Sequence, residues 1–189
     1  MAMQATSASL VNRMMRAARL EVPLYEEVEA DLTATNQALL VVALVAVARG
    51  IGAGLTGGTP GGLVGGLIGG LLSGLIGWAV WSYVVYFVGT RFFGGTATYG
   101  ELLRTLGFAD SPGVLLILGF IPVLGGILSL VVLIWTLVSS FIATRQALDI
   151  DNTKTFFTIL IGAVALGIVF TVISLITALI FVAGAAVSG

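Results

Sequence analysis

Apolar residues in this chain fall into long runs, and the short segments between them hold nearly all the charge. No charged residue lies between Ala38 and Ala48, between Gly50 and Thr90, or after Lys154. About 20 consecutive apolar residues suffice for a helix to cross the hydrocarbon core of a bilayer. The runs predict a first span over 36–55, a second over 63–89 and a last over 156–183.

Residues 113–143 are less regular. Asp110-Ser111-Pro112 has the form of a helix start, with polar capping residues ahead of a first-turn proline. The run from Gly113 to Ile121 is only about half a bilayer long at roughly 1.5 Å per residue. Pro122, Gly125 and Gly126 interrupt it before a fuller span, Ile127 to Ala143. We read a helical hairpin whose first arm is short, or extended by Leu102 to Phe108; a single kinked helix is the rival. The polar stretch Gly94 to Ser111, with Glu101, Arg104 and Asp110, has the composition of a surface helix.

Ahead of the first span, Leu10, Val11, Met14, Met15 and Ala18 recur at helical spacing, with Arg13, Arg16 and Arg19 on other faces. This pattern predicts an amphipathic helix on the membrane, its cations toward lipid headgroups; a disordered tail is the alternative. Pro23 ends it, and Glu26, Glu27, Glu29 and Asp31 form an acidic segment with the character of a solvated face. No apolar core precedes residue 38 in signal-peptide position, so the first span is expected to be uncleaved. The chain therefore divides into a cytoplasmic segment (1–35), a transmembrane domain (36–184) and a short tail (185–189).

Composition agrees. Of 189 residues 58% are hydrophobic and 9% charged, and the mean hydropathy is +1.14. Soluble domains carry roughly 25% charged residues, and so little charge could not clothe a globule in water. There is no cysteine and no histidine, which removes thiol chemistry, the usual imidazole ligand and the usual proton shuttle near neutrality. No nucleophile, base and polarising group come within reach of one another, so neither an enzyme nor a resident metal or cofactor is expected. Basic clusters that would bind nucleic acid are missing.

The position of positive charge sets the expected topology. With the amino terminus inside and the hairpin counted as two crossings, Arg13, Arg16, Arg19, Arg91, Arg104, Arg145 and Lys154 all lie on the cytoplasmic side. Arg49 alone falls toward the outside, where it would snorkel to headgroups. The expectation is an all-α, polytopic transmembrane bundle of five membrane segments with the carboxyl terminus outside. Trp78, Trp81, Tyr83 and Tyr86 before Arg91 are taken as an interfacial aromatic belt.

Glycine supplies the most distinctive pattern. Positions 54, 58, 62, 66, 70 and 74 are all glycine, and Gly57, Gly61, Gly65, Gly69, Ser73 and Gly77 form a second column one position earlier. Fourth neighbours share a helix face, so from Gly62 onward this glycine zipper exposes backbone, and another helix can approach closely. The face formed by Gly62, Gly65, Gly66, Gly69, Gly70, Gly74 and Gly77 packs helices within one chain or receives a partner. Every ionisable side chain sits at or beyond a span end in this assignment. The spans' serines and threonines, Ser129, Thr136, Ser139, Ser140, Thr171, Ser174 and Thr177, are expected to bond to backbone or neighbouring helices.

Several stretches resemble a known family. Leu24-Tyr25-Glu26-Glu27-Val28-Glu29-Ala30-Asp31 precedes a span, and Gly89-Thr90-Arg91-Phe92-Phe93-Gly94-Gly95 follows span two. Then come residues 99–109 (YGELLRTLGFA), Ile134-Trp135-Thr136-Leu137 and Thr144-Arg145-Gln146-Ala147-Leu148. In this order, over about residues 20–180, they resemble the prokaryotic branch of the Yip-domain family, polytopic proteins named for Ypt/Rab-interacting protein. The resemblance implies about five membrane helices, a cytoplasmic amino terminus and, in a prokaryote, the cytoplasmic membrane. Eukaryotic members act in vesicle traffic and contact prenylated Rab GTPases. The Asp-Leu-Tyr-Gly-Pro signature of those relatives is absent, Pro23-Leu24-Tyr25-Glu26 standing in its place, so a Rab-type GTPase is not an expected partner.

The functional expectation is a non-catalytic membrane protein that organises or scaffolds membrane components through helix contacts, or serves as accessory subunit of a larger complex. Its partners would be lipids and other integral membrane proteins or further copies of itself. The alternative is a channel or transporter for a small uncharged solute.

Overall fold

The computed structural model describes residues 9–56 and 59–188, with side chains as far as 180. Every regular element among them is helical: α1 Leu10–Ala18, α2 Val22–Ala30, α3 Ala34–Thr56, α4 Pro60–Phe93, α5 Tyr99–Ala109, a 3₁₀ helix η1 Ser111–Phe120, α6 Leu124–Leu148 and α7 Asn152–Ser188. The chain is an all-α, polytopic helical bundle. Four of the helices, α3, α4, α6 and α7, are long and apolar enough to cross a membrane, and the bent pair α5–η1 passes the same test only when its two helices are taken together, as a broken span or a re-entrant loop.

Local chemistry accounts for the ends. Thr59 caps α4 by accepting from the Gly62 N–H at 3.0 Å, and Pro60 occupies the first turn, where no N–H is needed. Gly94, at φ +71°, closes the same helix in the left-handed conformation that costs a glycine little. Thr98 and Glu101 form a reciprocal capping box at the start of α5.

The hairpin's first arm is α5 continued by η1, bent by 43° at Asp110. This is the arm extended by Leu102 to Phe108, and its second half is drawn out. A 3₁₀ helix rises about 2.0 Å per residue against 1.5 Å, so the arm measures about 36 Å, enough for a core of about 30 Å. At the tip, Val123 is held at φ +66°, and Leu124 N–H donates to Pro122 O over 2.7 Å in a tight γ-turn. Gly125 then passes against the Gly119 backbone, a closeness that no side chain would permit.

Three readings of the sequence are corrected. The segment Gly94–Ser111 is not a surface helix: Leu102, Arg104, Thr105, Leu106 and Phe108 of α5 are buried. Its charges misled because Glu101 serves the cap, while Arg104 donates to the main-chain carbonyls of Val28, at 2.9 Å, and Glu29. The arginines of α1 do not all turn to headgroups. Arg13 is buried, bonding Glu27 and Asp31 at 2.9 and 2.8 Å and Gln37 at 3.0 Å; Arg16 pairs with Glu21 and Glu27, and only Arg19 is exposed. The acidic segment is thus in part the arginines' counter-charge. Lastly, Trp78 donates to Leu103 O of α5 at 3.1 Å, so its indole N–H serves a neighbouring helix and not lipid headgroups.

Two apolar clusters hold the charged end together. Tyr25, Val85, Leu102, Leu106, Ala143 and Leu148 form one, and Leu24, Val28, Ala38, Val41, Val45 and Phe108 the other. Helix α2 feeds both, so the segment before the first span is packed onto the bundle. Trp135 Nε1 donates to Ala18 O at 2.7 Å and the Tyr25 hydroxyl lies 2.7 Å from Ser139 Oγ, tying α1 and α2 to α6. Helix α7 runs on to Ser188, through most of the tail expected at 185–189.

Candidate functional site

The two glycine columns have different surroundings. On α3, Ala46, Gly50 and Gly54 repeat at the same interval of four and lie against Gly62, Gly66, Gly70 and Gly74 of α4. A Cβ on Gly66 would sit 2.6 Å from Gly50 O, one on Gly70 2.8 Å from Ala46 O, and one on Gly74 2.8 Å from Ala46 Cβ. One on Gly54 would sit 2.9 Å from Gly62 O. Backbone meets backbone, and dispersion contact replaces what lipid tails would supply less well. The reverse face of α3 carries Gly52, which lies against Leu116 O of η1.

The other column is uncovered. Nothing comes within 4 Å of a Cβ placed on Gly61, Gly65, Gly69 or Gly77. Val64, Ile68, Leu72, Ile76 and Val80 form an exposed ridge beside them, and no residue from Pro60 to Trp81 is buried. A smooth trough thus runs beside an aliphatic ridge along more than half of α4. Gly57 and Gly58, which extend the columns in sequence, lie outside the described residues.

A second feature was not anticipated. Arg49 does not snorkel outward: its guanidinium donates to Asp110 Oδ1 over 2.6 Å, joining α3 to the bend between α5 and η1. The pair lies level with α1, whose Val11, Met14 and Ala18 share a cavity with Ala48 and Ser111, the neighbours of Arg49 and Asp110. Thr136 and Ser140, in the middle of α6, and Ser73, Gly77 and Trp78, in the middle of α4, line with the pair a second cavity of about 250 Å³. Arg49 thus turns to another helix instead of standing free. A neighbouring cavity of about 200 Å³ reaches Thr56 and Ser129, and Arg49 borders both. Of the membrane hydroxyls, Ser129, Thr171 and Thr177 donate to carbonyls one turn back, whereas buried Thr136 Oγ1 has no partner. A weak signal existed: Arg49 is the one charge within the first span and Asp110 precedes an apolar arm.

At the charged end, electrostatics follow the contacts. Arg16 is raised above its ordinary value, mainly by its hydrogen bond to Glu27. In Glu27 partial burial works upward, but hydrogen bonds from Arg16 and Arg13 prevail and hold the carboxyl low. Asp31 is held low chiefly by the Thr33 hydroxyl, with Arg13 adding to it. Glu29 goes the other way, to about 7, because it is partly buried and faces Glu26, Asp149 and Glu101. Its Oε2 has no partner. Burial likewise lifts the Tyr25 hydroxyl to about 12. Among the described residues no cluster of three or more carboxylates comes together as a metal site.

Long apolar helices, a packed charged cap and helix–helix contact through glycine define an integral membrane protein of the polytopic α-helical class. The particular family follows from comparison: residues 25–186 match the Yip1 domain, and the chain belongs to that family. No curated protein and no solved structure matches it.

Proposed function

We propose that the protein is a non-catalytic organiser of membrane components that works by helix–helix contact, with α4 as the contacting helix and a second copy of the chain as its first partner. The uncovered column Gly61, Gly65, Gly69 beside the ridge Val64, Ile68, Leu72 carries this reading. A trough flanked by its own ridge is self-complementary: around a two-fold axis the ridge of each copy enters the trough of the other. Small residues at intervals of four support such crossings in lipid, where hydrophobic burial gives no net drive and close backbone contact does. A copy-to-copy contact of this kind would let the protein space or gather other membrane proteins, or join a larger complex as an accessory subunit.

The orientation we favour places the docked cap in the cytoplasm. Arg13, Arg16, Arg91, Arg145 and Lys154 all belong to the cap or to helix ends joined to it, and positive charge is retained on the cytoplasmic side. Five crossings then put the carboxyl terminus outside. In a prokaryote the membrane would be the cytoplasmic one.

Cysteine cross-linking in native membranes tests the contact. Gly69→Cys should give a disulfide-linked dimer on mild oxidation, and Tyr83→Cys, exposed on α4 beyond the column, should not. Equal yields from both would remove the assignment. The alternative of a pathway for a small uncharged solute draws on the polar cavities that meet at Arg49. Saturable flux of such a solute into liposomes holding only this protein would favour it.

A further inference from the structure

The ion pair of Arg49 and Asp110 leaves hydrogen-bonding capacity unused. A guanidinium has five N–H donors, and Arg49 spends one on Asp110 Oδ1. The other carboxylate oxygen of Asp110 has no hydrogen bond among the described residues, and Thr136 Oγ1 is buried without a partner. All three border the cavity of about 250 Å³, room for several waters or one compact polar group. Polar groups taken out of water cost several kcal/mol each when unsatisfied, on an order-of-magnitude scale.

The charges select the ligand. A solitary anion on Arg49 would leave Asp110 uncompensated in a poor dielectric, and a solitary cation would do the same to Arg49. A group carrying both charges a few bonds apart satisfies both at once. The route in selects further. Ser73 and Gly77 line the cavity and also stand in the exposed column of α4, flanked by Leu72, Ile76 and Val80. The mouth therefore opens sideways, onto the exposed apolar face of α4. A ligand with a dipolar head and a long apolar tail fits this entry; a water-borne solute does not.

We propose that this cavity binds the zwitterionic headgroup of a membrane phospholipid, its phosphate on the spare N–H groups of Arg49 and its ammonium on the free oxygen of Asp110. Thr136 donates to the phosphate, and the Trp78 and Trp81 side chains form walls for the headgroup's methylenes. The site does not rest on pairing of copies. Small-residue crossings are local, so a contact centred on Gly65 and Gly69 leaves the mouth open at Ile76, Gly77 and Val80.

Native mass spectrometry tests it on the full chain, exchanged into micelles holding equal phosphatidylethanolamine and phosphatidylglycerol. The wild type should retain the zwitterionic lipid about tenfold in preference, a difference of about 1.4 kcal/mol. In R49L/D110L, which removes both charges and leaves neither orphaned, the preference should fall to parity. T136V keeps the ion pair and should lose roughly threefold, the worth of one hydrogen bond; it decides the matter if the double variant does not fold. Parity in the wild type overturns the proposal, as does an undiminished preference in either folded variant. Binding of free O-phosphoethanolamine in place of lipid overturns it too, because the source would be soluble. Monomeric protein with intact lipid preference would sink the pairing of copies and leave this site standing.

Discussion

Arg49 and Asp110 stand 61 positions apart in sequence, yet their side chains meet at 2.6 Å. This contact fixes α3 to the bend where α5 gives way to η1 and the helix changes from α to 3₁₀ geometry. Removing one member should hurt more than removing both. Arg49→Leu leaves the partly buried Asp110 carboxylate without its counter-charge and should lower stability more than R49L/D110L, which removes both charges. Denaturation in mixed micelles, followed by circular dichroism, measures the difference; equal losses would mean the pair is loosely solvated.

The glycine columns should respond oppositely to the same change. Gly66→Ala and Gly70→Ala place a methyl within 2.6 and 2.8 Å of carbonyl oxygens on α3 and must push the helices apart. Gly61→Ala meets nothing within 4 Å in the single chain and should leave the bundle of one copy as stable or more so, by at most about 1 kcal/mol, while obstructing the contact between copies. Melting temperatures of purified variants check this ordering.

Acidity should act on the cap in two windows. Glu29 titrates near 7 when docked, against an ordinary 4.5. Between those values the docked state holds the extra proton, so docking weakens as pH rises from about 4.5 to 7 and then levels off. Glu27 and Asp31 are held low, so their contribution is complete above the ordinary carboxylate range and fades as pH falls below it. Glu29→Gln should abolish the decline on the neutral side and leave the acid loss intact. Hydrogen exchange of α2 against pH reads both.

Arg13 joins α1 to Glu27, Asp31 and Gln37 while itself buried. Arg13→Ala should release α1, and because Trp135 Nε1 donates to Ala18 O, tryptophan emission should report the release. Unchanged emission and protease resistance would show that apolar contacts alone hold the helix.

The sequence made the membrane spans legible because a bilayer demands length and apolarity, both local properties. Helices α3, α4, α6 and α7 follow from them directly. What escaped is what depends on partners far along the chain. Whether Arg104 faces water or the carbonyls of Val28 and Glu29 cannot be read from residues 94–111, and the same holds for Arg13 and Arg49. Spacing placed both glycine columns on α4; which of them α3 covers depends on the rotation of one helix against the other. The 3₁₀ form of η1 is equally silent in sequence, since Ser111–Phe120 reads simply as a run too short for an α-helical crossing.

Counting copies in a bilayer tests the proposed pairing most directly. Fluorescently tagged protein, diluted into liposomes across a range of protein-to-lipid ratios, should show two photobleaching steps at high density and one at low density. G65L/G69L should shift that transition to densities roughly tenfold higher or more. Wild-type protein that bleaches in one step at every density, or a variant that pairs as well as the wild type, would contradict the account.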